Sequence, residues 1–194
     1  MLKYVKLLFL NYKRINLLSG IEMSKAFLIL LFCCAMIGAC KKETGVGAEA
    51  EKAQAIIDDK IIADYLAANT GLNAKRIDTT GVYYIVIQPG DGNSLFTNST
   101  QVTLGYKGRL LSTGQVFVKT DDIHPSFVLS SMIRGWRLGI PQVKKGGIVR
   151  LLLPSRYAYG PFAQPELGKA YGLANGLPAS AVLDFDITLY DIIN

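Results

Sequence analysis

The sequence predicts an α+β fold, an antiparallel sheet half-wrapped around one short helix with an additional helix before it, and three observations predict it. From Thr80 onward the pattern is mainly that of strands, with apolar residues alternating in several runs. One segment in this half, "MIRGWRLGI", changes period, placing Ile133, Trp136 and Ile140 at spacings of three and four. Upstream, Ile57, Ile61, Ile62, Tyr65 and Leu66 recur at helical spacing with Asp58, Asp59, Lys60 and Asp64 between them. A chain of 194 residues, half of them hydrophobic, supplies one such domain with extensions.

The first extension reads as a secretory signal over residues 1–39. Lys3, Lys6, Lys13 and Arg14 precede Lys25 and the apolar run "AFLILLFCCAMIGAC", which is too short for a comfortable membrane span. Met23 offers a second start that would leave a compact signal peptide. The run ends on Gly38, Ala39 and Cys40 before turning polar, and this resembles a bacterial lipobox. That resemblance implies a lipid on the Cys40 thiol, cleavage before it and a membrane-anchored mature chain. Lys41 directly after the cysteine favours the outer membrane of a Gram-negative cell envelope.

Removing residues 1–39 takes away five of the 21 basic and one of the 15 acidic residues, so a formal charge of +6 falls to +2. No basic stripe remains, which argues against nucleic acid as a partner. Cys33 and Cys34 leave with the signal and Cys40 becomes the anchor, so neither a disulfide nor a thiolate metal site is expected.

After Cys40, residues 40–52 are small and polar and read as a flexible tether. Residues 53–78 form a helical extension, with Gly71 in "ANTG" as its stop signal. Its apolar stripe packs on the domain that follows or serves as a contact for a protein partner or a second copy. The domain proper spans 79–194. There "GVYYIVIQPGDG" is a strand closed by a turn, and "QVTLGYKGRLL" alternates Val102, Leu104 and Tyr106. "GQVFVKT" is short and β-branched. In "VLDFDITLYDII", Leu183, Phe185, Ile187 and Leu189 face a core while Asp184, Asp186, Thr188 and Tyr190 face water.

Little in this domain suits acid–base or metal chemistry. The one histidine, His124, sits beside Pro125 in a turn, which argues against a charge relay or a histidine metal site. The serines follow neither G-x-S-x-G nor S-x-x-K, and neither a P-loop nor a dinucleotide fingerprint occurs, so no cofactor or metal is expected. Nothing singles out a carboxylate pair. What remains is aromatic: Tyr106, Phe117, Trp136, Tyr159 and Phe185, contributed by separate strands, the helix and a loop.

Over residues 80 to 192 the chain resembles the FKBP-type peptidyl-prolyl isomerases. The segments "PGDG", "VTLGYKG", "GQVF", "MIRGWRLGI", "VKKGGIVRLLLPSRYAYG" and "GLPASAVLDFDITL" follow the order of that family. The resemblance implies an FKBP-like sheet and isomerase activity on proline-containing polypeptide segments. It makes Tyr106 a pocket wall, Phe117 the aromatic against the proline ring, Trp136 the floor and Phe185 the back wall. Tyr159 would reach the ligand with its hydroxyl and Tyr157 would support it. Met132 and Ile133 would bind the peptide, the Ile133 N–H to a carbonyl, and Leu177 would form an apolar rim.

Three departures stand out: Val118 occupies a position where the family usually carries Asp, a phenylalanine usual in the family is replaced near Pro125, and the loop between Gly160 and Leu177 is longer than in minimal members. They leave two other functions beside an envelope foldase. One is a catalytically weak binding or chaperone module, the other a structural component of an envelope assembly.

Overall fold

The computed structural model describes residues 44–92 and 95–194. The expected signal, the alternative start and the Cys40 anchor lie outside these residues. Helix α1 spans Thr44–Ala68. The strands are β1 Lys75–Arg76, β2 Tyr83–Gln88, β3 Gln101–Leu110, β4 Val116–Lys119, β5 Ser126–Val128, β6 Ile148–Leu153 and β7 Leu183–Ile193, with helix α2, Arg134–Gly139, between β5 and β6. All pairings are antiparallel, in the order β1-β2-β6-β7-β3-β4, and β5 pairs with β3 beyond the end of β4.

The inward face of the sheet is built by strand alternation. Val102 and Leu104 of β3, Val149, Leu151 and Leu153 of β6, and Leu183, Phe185, Ile187 and Leu189 of β7 are buried in one cluster with Trp136 and Ile140. Two glycines let α2 lie close on this face. A Cβ at Gly135 would stand 2.5 Å from a Leu153 methyl, and one at Gly139 would stand 2.4 Å from a Leu151 methyl, so nothing larger fits. The expected "PGDG" turn closes β2: Gly90 adopts φ +73, and the Asp91 N–H donates to the Lys145 carbonyl at 3.0 Å.

The outward face carries a second cluster in which Ile62 of α1 packs with Ile85, Leu111, Leu152 and Val182, flanked by Ile61, Tyr65 and Leu66. The helix therefore packs on its own domain over four of the five expected stripe residues. Ile57 is the exception: with Ile56 it remains exposed, because the docked face runs through Gln54, Ala55, Asp58 and Ile62 and Ile57 lies off it. Residues 44–52, within the segment 40–52 expected as tether, form the first turns of α1. Their run of Ala, Glu and Lys has high helix propensity and outweighs Gly45 and Gly47.

The extension also ends differently from the expectation. The helix stops at Ala68, where the Asn69 side chain donates to the Tyr65 carbonyl at 2.8 Å, and Lys75–Arg76 pair with Tyr84 and Tyr83 as an edge strand. Asp184 departs too, since it is buried rather than facing water. Arg109 Nε reaches it at 3.0 Å and Arg150 Nε at 2.8 Å, while Tyr65 of α1 covers Arg150 and accepts a hydrogen bond from its Nη2 at 2.6 Å. A sheet face expected to be solvated is thus closed, near β6 and β7, by the helix laid over it.

Candidate functional site

Four of the five expected aromatic residues meet in a chain of edge-to-face contacts on the inward face. The Tyr106 and Trp136 rings are 5.0 Å apart at 68°, Trp136 and Phe185 are 5.1 Å apart at 88°, and Phe185 and Phe117 are 5.6 Å apart at 80°. Such T-shaped pairs set each ring edge against a neighbour's face and fix orientations that apolar burial alone would leave free. Gly108 makes room for them. A Cβ there would meet Phe185, Phe117 and Val118 at 2.6, 2.8 and 2.9 Å.

Phe117, Trp136 and Phe185 are almost wholly buried, whereas Tyr106, Tyr159, Met132 and Ile133 are half-buried and pack against the same cluster. Burial pushes the Tyr159 phenol above its ordinary value, and nearby Tyr106 adds to the rise. Burial likewise raises Tyr106, with Tyr171 adding to it. The phenols at this edge of the cluster are neutral hydrogen-bonding groups at neutral pH.

Ile133 sits in extended backbone, φ −54 and ψ 147, as the cap before α2. Its carbonyl accepts the Trp136 N–H at 3.0 Å, while its own N–H has no acceptor among the described residues. Trp136 Nε1 is likewise buried without a partner among them. An amide and an indole donor are therefore free beside the aromatic cluster, together with two phenol hydroxyls.

Leu177 is placed differently from the rim position expected for it. Its side chain is fully buried, and its backbone pairs in both directions with Gln164, at 2.9 and 3.0 Å, closing the root of the long loop. The loop lies along β4: the Tyr171 hydroxyl donates to the Lys119 carbonyl at 3.4 Å, and a Cβ at Gly168 would stand 3.1 Å from the Phe117 Cβ. Val118 packs against the main cluster, so the position carries an apolar surface. Tyr157 stands outside the ring chain, with the Arg134 guanidinium 4.7 Å above its ring.

Sequence reasoning missed Phe127 and Tyr171. Phe127, with its ring 6.4 Å from Tyr106, sits on a three-residue strand too short for an alternation signal, and Tyr171 lies in a loop with none. His124 takes no part in the ring chain and stacks on Tyr190 of the outward face at 3.9 Å. A shallow depression of about 260 Å³ lies there too, lined by Tyr106, Lys107, Asp121, His124, Asp186 and Tyr190 among others.

With this geometry in place, comparison with known proteins is informative. The model of the family described as FKBP-type peptidyl-prolyl cis-trans isomerase matches residues 92–190, just over half of the chain. A curated relative from Buchnera aphidicola subsp. Schizaphis graminum, the FKBP-type peptidyl-prolyl cis-trans isomerase FkpA, is 32% identical over 117 residues, covering 60% of this chain and 42% of its own length. FK506-binding protein 1 of Candida glabrata is 34% identical over 116 residues, covering 58% of this chain and 93% of its own. The crystal structure of FkpA from Escherichia coli superimposes with a TM-score of 0.56 at 27% identity, covering 91% of this chain and 80% of that one. The chain thus spans less than half the length of the Buchnera relative and almost the whole of the yeast one. The expected antiparallel α+β fold with an added N-terminal helix is the fold observed.

Proposed function

Because the chain belongs to the FKBP-type peptidyl-prolyl cis-trans isomerases, we propose that it catalyses cis-trans isomerisation of prolyl bonds in polypeptide segments held at the aromatic cluster. The observation that carries this reading is the convergence of Tyr106, Trp136, Phe185 and Phe117 beside the unpaired Ile133 N–H.

Rotation about a peptide bond is opposed by roughly 18–20 kcal/mol, because planarity preserves the double-bond character of C–N. In the twisted transition state that resonance is lost and the amide becomes less polar. An apolar aromatic surround disfavours the planar ground state relative to the twisted one, and hydrogen bonds hold the flanking peptide still. Phe117, Trp136 and Phe185 would cradle the proline ring. The Ile133 N–H would anchor a carbonyl, Met132 would flank the peptide, and the Tyr106 and Tyr159 hydroxyls would orient carbonyls. None of these roles asks a side chain to give up or take a proton.

The sequence before the described residues supports a location for this activity. Cys40, behind a basic and apolar leader, would anchor the domain by lipid at the cell envelope, where exported chains fold. The long loop beside Phe117 would select among proline-containing segments. A protease-coupled or NMR-exchange assay on a Xaa-Pro peptide tests the reading, and an uncatalysed rate at high protein concentration would sink it. Val118 favours a second reading, a proline-binding module of low turnover. Measured peptide binding without acceleration, with a rate gained by Val118→Asp, would select it.

A further inference from the structure

Asp58 of α1 is completely buried, 97 positions from its main partner. Its Oδ1 accepts from Gln54 Nε2 at 2.8 Å, and its Oδ2 accepts both the Ser155 N–H at 2.8 Å and the Ser155 hydroxyl at 2.7 Å. The next residue in each segment repeats the contact, Arg156 Nη2 donating to Asp59 at 2.7 Å and to the Thr80 carbonyl at 2.8 Å. A buried carboxylate is tolerated only when its oxygens are hydrogen-bonded, so Ser155 is held tightly wherever α1 is docked.

Ser155 passes this constraint on. Its carbonyl accepts the Ala158 N–H at 2.9 Å and the Gly160 N–H at 2.8 Å, the two amides on either side of Tyr159. Since its own N–H and C=O belong to successive peptides, fixing both fixes the φ and ψ of Ser155. The turn is pinned once more beyond Tyr159, where the Gly160 carbonyl accepts the Ser180 N–H at 2.9 Å. A hydrogen-bonded path therefore runs from a helix on the outward face to the backbone on either side of Tyr159, whose ring packs on the inward one.

We propose that Asp58 is a positioning residue of the proline site, setting the Tyr159 hydroxyl through Ser155, so that docking of α1 and the geometry of the site are coupled. The kinetic part of this inference rests on the isomerase reading above; the structural part does not. A residue that merely held the helix down would affect stability without acting through Tyr159.

The test uses the full chain and two readouts. In hydrogen exchange, Asp58→Ala is expected to speed exchange of the Ala158 and Gly160 amides at least tenfold, with the Phe185 amide of β7 unchanged and Asp59→Asn leaving all three alone. In the Xaa-Pro assay, Asp58→Ala and Tyr159→Phe should each lower kcat/KM by roughly fivefold, the effect of one neutral hydrogen bond. The double variant should be no slower than the worse single one. Asp58→Asn, which keeps an acceptor for Ser155, should recover much of the loss.

Unchanged exchange at 158 and 160, or losses that multiply in the double variant, would overturn the proposal. If the chain shows no isomerase activity, the same cycle is read from the affinity of a proline peptide, so that failure of the isomerase reading stays distinct from failure of the coupling. If Asp58→Ala does not fold, Ser155→Ala, which removes only the hydroxyl, carries both readouts with smaller expected shifts.

Discussion

Asp184 and Phe185 are adjacent in β7 and opposite in environment. Phe185 points inward to a face held by apolar contact, its ring set against Trp136 and Phe117. Asp184 points outward to a face where ion pairs and hydrogen bonds stand beside the apolar cluster around Ile62: Arg109, Arg150 and Tyr65 surround it, and Asp58 meets Ser155 nearer the loop. The difference suits the proposed catalysis of amide rotation. A surface that is to meet a proline ring stays apolar, and the directional contacts that hold the loops and the helix in register are gathered behind it.

Breaking the apolar side should have the largest effect. Trp136→Ala removes a ring that touches both Tyr106 and Phe185, and truncations of buried aromatic residues cost about 3–5 kcal/mol. Thermal or urea unfolding should show that loss, and isomerase activity should disappear even at temperatures where the variant stays folded. On the polar side, Asp184→Ala removes the buried carboxylate that the Arg109 and Arg150 guanidiniums share, and leaves them the half-exposed Asp186, 2.6 Å from Arg109 and 4.0 Å from Arg150. Removing one member of a buried pair costs about 3 kcal/mol. The unfolding midpoint should fall while kcat/KM of the folded fraction is retained, and an equal loss of both would erase the distinction between the two faces.

The inward face was more legible in the sequence than the outward one, and for a physical reason. Phe185 lies in a strand whose alternation is local, so its direction follows from its neighbours, and Trp136 lies in a helical period three residues from Ile133. Tyr106, Phe117 and Tyr159 carry no local signal of function and became site residues only through the resemblance of their motifs. The outward face is made of contacts between distant segments: Asp58 with Ser155, Tyr65 with Arg150, Arg109 with Asp184. A buried aspartate and a solvated one read alike in a helix, which is why Asp58 passed as part of a polar face. The resemblance alone placed Leu177 at a rim, and its burial depends on where a sixteen-residue loop returns.

Tyr159→Phe tests the boundary between the faces, because the ring belongs to the inward cluster and its backbone to the Ser155 turn. One neutral hydrogen bond contributes about 1 kcal/mol, so the catalytic loss should be near fivefold, with the unfolding midpoint almost unchanged. A loss of a hundredfold would mean that the hydroxyl does more than orient a carbonyl.

The smallest expected effect is that of pH on catalysis. Burial raises the Tyr159 and Tyr106 phenols, so both stay protonated through the neutral range, and none of the residues assigned to the proline site is a carboxylate or an imidazole. The rate should be flat from about pH 6 to about pH 9. For a phenol raised in the folded state, the associated stability is fully present below the ordinary phenol pKa and is lost as pH rises through the raised value, because the unfolded chain gives up its protons first. Unfolding midpoints should therefore begin to fall only above about pH 10, and less steeply in Tyr159→Phe. At the acid end, the Lys145 hydrogen bond holds Asp191 below its ordinary value, a contribution present above the usual carboxylate range and lost as pH falls through the lowered one. That pair is exposed and contributes none of the residues assigned to the site, so a bell-shaped rate profile near neutrality would put an ionising group into a mechanism that assigns it none.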